Sequence, residues 1–225
     1  MSESISTAQL KALLERLCEE MEKCQSSLQA LDAQAGDGDL GVTVQLGFQA
    51  VRKSVSQFEG EDAGAMLSSS GMAFNTAAAS TFGTLMATAF LRAGKAVKGK
   101  SSLNSADFSA ILTAAIEGIM QRGNAKPGDR TMLDALVPAE TAFKLAVGNG
   151  GTLHAAFAAA CAAAEAGAKE TSGMAPKHGR AGWVARKPLG IPDAGAVAVS
   201  KLFAIASELF PSEGAAAQGA SGDVR

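Results

Sequence analysis

The 225-residue sequence contains no tyrosine and one tryptophan, Trp183, and aromatic residues make up only 5% of it. So few rings leave no platform for stacked bases, which argues against a single-stranded nucleic acid partner. Twenty basic residues stand against 22 acidic ones, a net charge of −2. No excess of positive charge is available to follow a phosphate backbone or an anionic membrane surface. The three cysteines, Cys18, Cys24 and Cys161, are odd in number and show no C-x-x-C spacing. Neither a disulfide framework nor a cysteine-ligated zinc site is indicated. No uninterrupted apolar run reaches membrane-spanning length. The start, Met1-Ser2-Glu3-Ser4, lacks the basic and apolar regions of a secretory signal. A cytoplasmic protein with no nucleic acid and no membrane partner is expected.

What the sequence does have is alanine and helical periodicity, with no extended Val/Ile/Thr runs to build a sheet. Ser6-Thr7-Ala8-Gln9 reads as a capping box. Leu10, Leu13, Leu14, Leu17, Met21, Cys24, Leu28 and Leu31 then recur at three- and four-residue steps, predicting one long amphipathic helix. It delivers Asp32 into Ala33-Gln34-Ala35-Gly36-Asp37-Gly38-Asp39, where three carboxylates fall within eight residues. Converging carboxylates repel unless water solvates them or a hard cation neutralises them, so this loop is either a solvated turn or a metal site. A second helix, roughly 42–57, follows directly and points its positive end back at the aspartates, a geometry suited to a phosphate beside a metal.

Residues 65–97 are rich in small side chains, which permit close approach of another helix or of a ligand. Gly94-Lys95-Ala96-Val97-Lys98-Gly99-Lys100-Ser101 matches the G-x-x-x-x-G-K-S phosphate loop. Helix precedes it where a buried strand is required, so a basic surface loop is the better reading and a P-loop nucleotidase the weakest of three functions. A helix capped around Ser105 comes next, then the loop Arg122–Asp134. Pro138 should kink or break the helix after it. His154 reads as a packed or surface residue. The segment 172–195 is long, glycine- and proline-rich and basic around Trp183, which favours a functional, anion-facing loop. A last helix covers roughly 194–209. The expected organisation is one helical domain, 1–210, with a disordered tail, 211–225.

Three motifs occur in a fixed order: Leu31-Asp32 with Gly36-Asp37-Gly38-Asp39; Gly128-Asp129-Arg130-Thr131-Met132-Leu133-Asp134-Ala135-Leu136; and Lys177-His178-Gly179-Arg180-Ala181 with Asp193-Ala194-Gly195. In this the chain resembles the nucleotide-binding L subunit of the dihydroxyacetone kinases. The resemblance implies an all-α barrel of about eight antiparallel helices with a nucleotide site at one end. It places Mg²⁺, as two ions, on Asp32, Asp37 and Asp39. ATP or ADP falls on Leu40, Gly41, Val42, Thr43, Ala77, Ala78, Gly123, Met132, Arg180, Asp193, Ala194 and Gly195. It also implies phosphoryl transfer to dihydroxyacetone or a related hydroxy-ketone held on a separate K subunit. The donor is ATP, or a phosphotransferase-system protein that recharges bound ADP; a homodimer is left open. The chain departs from the family pattern in Leu40, where the family has His, in Thr43, where it has Asn, in the run Ala77-Ala78-Ala79-Ser80, and in Ala194, where it has Pro. Those departures sustain a second reading, a nucleotide-binding regulatory or interaction protein that no longer transfers phosphate.

Overall fold

The computed structural model describes residues 4–178 and 190–210. The expected tail, 211–225, and Arg180 and Trp183 in the basic loop lie outside the described residues.

Nine helices of eleven residues or more form among the described residues: α1 (Thr7–Lys23), α2 (Gln25–Ala35), α3 (Leu40–Ser56), α4 (Ala63–Ala77), α5 (Thr81–Ala96), α6 (Ser105–Gly123), α7 (Leu133–Gly148), α8 (Leu153–Glu170) and α9 (Ala194–Leu209). The capping box at Ser6 is present. Gln9 N–H donates to Ser6 Oγ at 3.2 Å, and Ser6 N–H donates to Gln9 Oε1 at 2.8 Å. The long first helix is broken, however. At Cys24 the backbone N–H turns to Met21 O at 3.1 Å, an i→i−3 bond, and α2 restarts at Gln25. This one break turns eight expected helices into nine.

Helix contacts run α1–α3–α4–α5–α6–α7–α8–α9 and back to α1, so eight helices close a ring. The short connections from α3 through α8 make those neighbours antiparallel. Helix α2 sits outside the ring sequence, against α3 and α9. Fully buried Phe48, Phe74, Phe143, Met21, Leu28 and Leu103 belong to one core that draws on every helix of the ring. Phe108, Phe157 and Phe210 pack edge-on and stacked at ring separations of 4.4 to 5.8 Å. The ring encloses a wholly apolar cavity of about 230 Å³. Two three-residue strands, β1 (Ser4–Ser6) and β2 (Ser102–Asn104), pair antiparallel with Ile5 opposite Leu103 and tie the first residues to the α5–α6 connection. No described helix is long and apolar enough to cross a membrane.

Several expectations shift in detail. Helix α3 begins at Leu40, two residues earlier than the periodicity placed it. The α6 cap is Asn104 rather than Ser105, in a reciprocal box with Asp107. Helix α7 runs through Pro138 unbroken. Pro138 has no N–H for the carbonyl four residues back, Asp134 O. The backbone of Gly167 in α8 packs against that carbonyl so closely that a Cβ at 167 would stand 2.1 Å from it.

Candidate metal and nucleotide site

Asp32 lies in the last turn of α2 and Asp39 immediately precedes α3, with Asp37 between them. Gly38 takes a φ of +77°, the left-handed turn that folds this loop back on itself. One carboxylate oxygen from each of Asp32, Asp37 and Asp39 lies within 4.8 Å of the other two. Asp39, at the N-cap position, makes no side-chain cap bond. Asp32 takes that place: its Oδ2 accepts the Leu40 N–H at 3.2 Å, joining the end of α2 to the start of α3. The positive end of α3 thus faces the carboxylates and offsets part of their repulsion. A hard, oxygen-seeking divalent cation fits the donor set: three carboxylates, converging, with Asp37 and Asp39 exposed to solvent.

The three aspartates form one wall of a cleft of about 320 Å³. Ala79, Ser80, Thr81 and Phe82, at the start of α5, line a second wall. Ser80 is the α5 N-cap, accepting from Gly83 N–H at 3.0 Å, and Thr43 Oγ1 donates to its hydroxyl at 3.1 Å. Gly123, Ala125 and the turn Arg130-Thr131-Met132 supply the floor, and Asp193-Ala194-Gly195 close the far side.

That turn is rigidly built. Asp134, in the first turn of α7, is buried and accepts from Gly128 N–H and from Thr131 N–H, the latter at 2.7 Å. Asn124 and Arg130 hold left-handed φ values of 48° and 60°, which are costly for residues with a Cβ and persist only where the surroundings fix them. The Arg130 guanidinium, itself buried, donates to Met174 O at 3.2 Å and to Ile191 O at 2.9 Å. It therefore grips both ends of the segment that the sequence marked as a functional loop. Asp129 is held beside it by Lys126 N–H at 2.9 Å, Lys177 Nζ at 3.0 Å and His178 Nε2 at 2.9 Å. The Lys177 hydrogen bond is the main cause that keeps Asp129 well below the usual carboxylate range, helped by Lys126 N–H and His178.

Asp193 caps α9, accepting from Ala196 N–H at 2.8 Å, while its own N–H donates to Thr171 Oγ1 at 2.8 Å. Burial pushes its carboxyl up to about 6, with Asp134 and Asp32 adding repulsion against the relief from the cap bond and Arg130. A carboxyl raised in the fold holds its proton more tightly than in the unfolded chain. It stabilises the fold fully below about pH 4, and that contribution is lost as pH rises to about 6. In metal-free protein, Asp193→Asn keeps an N-cap oxygen but cannot titrate, so its stability relative to wild type should rise across pH 4 to 6. Thermal melts of both proteins over that range check this; parallel curves would contradict it.

Of the residues that the sequence proposed for nucleotide, Leu40, Gly123, Met132, Asp193, Ala194 and Gly195 line the cleft together with the three aspartates. Gly41, Val42, Thr43, Ala77 and Ala78 do not. Gly41 is packed against α2, where a Cβ would come within 2.3 Å of Gln25 O. Val42 points outward, 39% exposed, and Thr43 acts one step behind Ser80. Ala79 and Ser80 take the wall that was assigned to Ala77 and Ala78. Arg180 lies outside the described residues. Sequence reasoning missed Ser80, Thr81, Arg130 and His178. Ser80 carried a readable signal, as a serine just ahead of a helix. The phosphate-loop match does not form such a loop: Gly94 is buried inside α5 against Gly64 and Ser68, and Lys100 pairs with Asp107. No residue from Gly94 to Ser101 lines the cleft.

The family model described as the DAK2 domain matches residues 34–208. The ADP-binding subunit DhaL of the PEP-dependent dihydroxyacetone kinase of Escherichia coli K12 is 30% identical over 172 residues, 76% of this chain and 82% of that protein. L-erythrulose kinase of Pectobacterium atrosepticum is 32% identical over 84% of this chain, and triokinase/FMN cyclase of Mus musculus 31% identical over 94%. This chain spans only 32% and 36% of those two longer proteins. The crystal structure of the dihydroxyacetone kinase from C. freundii in complex with AMP-PNP and Mg²⁺ superposes with a TM-score of 0.71 and 26% identity. That match covers 92% of this chain and 35% of the other. The chain belongs to the DAK2 domain family, that of the dihydroxyacetone kinase L subunits.

Proposed function

We propose that this chain is the Mg-nucleotide-binding L subunit of a kinase acting on dihydroxyacetone or a related small hydroxy-ketone held by a partner K subunit. The convergence of Asp32, Asp37 and Asp39 on the mouth of a cleft of nucleotide-compatible walls carries this reading. Magnesium on these aspartates would neutralise nucleotide phosphates and the charge that develops during transfer. Two Mg²⁺ ions sharing the three carboxylates would complete this reading.

The chain's own part is positioning. Met132, buried and apolar, supplies a face for a base; Ser80, Thr81 and the α5 N-terminus offer donors to phosphate; Asp193 and Gly195 bound the opposite edge. Both donors stay in the reading: the E. coli relative is a PEP-dependent, ADP-binding subunit, and the C. freundii enzyme binds AMP-PNP with Mg²⁺. A cytoplasmic location and a single helical domain over 1–210 belong to the same proposal.

The test is reconstitution. The chain mixed with a cognate K subunit, Mg²⁺ and either ATP or a PEP-charged phosphotransferase protein should form triose phosphate, and neither subunit alone should. The second reading, a nucleotide-binding regulator, draws on Leu40, an apolar side chain buried at the cleft wall inside the aspartate motif. Nucleotide binding with no product under either donor would favour it.

A further inference from the structure

Among the described residues that line the cleft, carboxylates outnumber cationic groups. Among the described lining residues the acids are Asp32, Asp37, Asp39 and Asp193, and the cations are Arg130 and His178. Arg130 is buried and directs its guanidinium to Met174 O and Ile191 O, holding the chain rather than facing a ligand. Lys177, next to the cleft, has its ammonium on Asp129. His178 differs from both. It is half-buried, and one ring nitrogen, Nε2, is anchored on Asp129 at 2.9 Å. Asp129 is 5% exposed in its side chain and immobilised by two further bonds, from Lys126 N–H and Lys177 Nζ. A ring pinned through one nitrogen by a fixed carboxylate has its orientation set, and Nδ1 is the ring nitrogen that Asp129 does not engage.

We propose that His178, oriented by Asp129, is a phosphate-recognising residue of this cleft, presenting Nδ1 to a nucleotide phosphate oxygen. An imidazolium donor to a phosphate forms a charge-assisted hydrogen bond, stronger than a neutral one. The arrangement divides the work: metal on the aspartate side, direct positive charge on the His178 side. The second histidine, His154, is engaged with Phe210 O and does not line the cleft. The inference rests on the nucleotide reading of the cleft given above.

The experiment is a calorimetric titration of ADP and of AMP, both with Mg²⁺, into wild type, His178→Ala, His178→Lys and Asp32→Asn. His178→Ala should weaken ADP about tenfold and AMP clearly less, while His178→Lys restores ADP affinity to within about threefold, charge substituting for charge. A merely structural role would reduce both nucleotides equally and would not be rescued by lysine. His178→Ala binding ADP within twofold of wild type, while Asp32→Asn loses it, overturns the inference and leaves the nucleotide reading standing. Wild type failing to bind either nucleotide overturns both.

Discussion

Asp37→Asn should weaken Mg²⁺-dependent ADP binding at least about tenfold, the usual scale for losing a metal-site group, without weakening the fold. The two halves of this result have one cause. Asp37 is exposed and its carboxylate converges with those of Asp32 and Asp39. In metal-free protein the three charges repel, and removing one lowers that repulsion. With Mg²⁺ and ADP at about 100 times the dissociation constant, wild type should gain about 2.7 kcal/mol of stability by linkage, and the variant little of it. Melting curves with and without Mg-ADP separate the halves. An unchanged ligand-induced shift in Asp37→Asn would place the metal elsewhere. Asp32 behaves differently, because its Oδ2 also receives the first N–H of α3. Asp32→Ala should lose binding and also roughly 1 kcal/mol of stability, as helix caps do.

Gly167→Ala should be among the most destabilising single-methyl changes in the chain. A Cβ at 167 would lie 2.1 Å from Asp134 O and 3.1 Å from Asp134 C, so backbone rather than a flexible side chain must yield. Overpacking of this sort costs about 1–3 kcal/mol, which for a protein of this size corresponds to a melting temperature lower by roughly 3–10 °C. The site should feel it too. Asp134 caps the turn that places Arg130 and Met132, and displacing α7 from α8 disturbs the carboxylate that accepts from Gly128 and Thr131. ADP affinity should therefore fall alongside stability, although residue 167 does not line the cleft. Melting and titration of the same preparation test the link. A melting temperature within a degree of wild type would show that α8 moves aside freely.

Most of the helical frame could be read from periodicity, because apolar stripes at three- and four-residue steps have to be buried somewhere. The break at Cys24 could not: neither glycine nor proline marks it, and the leucine stripe continues across it. Pro138 misled in the opposite direction. The helix continues through it, and the carbonyl that its missing N–H would have served, Asp134 O, lies against Gly167, 33 residues away. The aspartate triad was legible because its residues are close in sequence. The opposite wall was less so. Ser80, Arg130 and His178 reach the cleft from three separate segments, and Arg130 does its work through backbone carbonyls that carry no sequence signal. Gly41 to Thr43 entered as ligand contacts through the family resemblance. Of those at the start of α3, Leu40 lines the cleft, and Thr43 reaches it only through its bond to Ser80.

The account stands most directly on one measurement: calorimetric titration of ADP into the wild-type chain with Mg²⁺ and with the metal chelated. A site built on Asp32, Asp37 and Asp39 predicts binding that requires the metal and is lost in Asp37→Asn. ADP affinity that is the same with and without Mg²⁺, and unchanged in that variant, would contradict it.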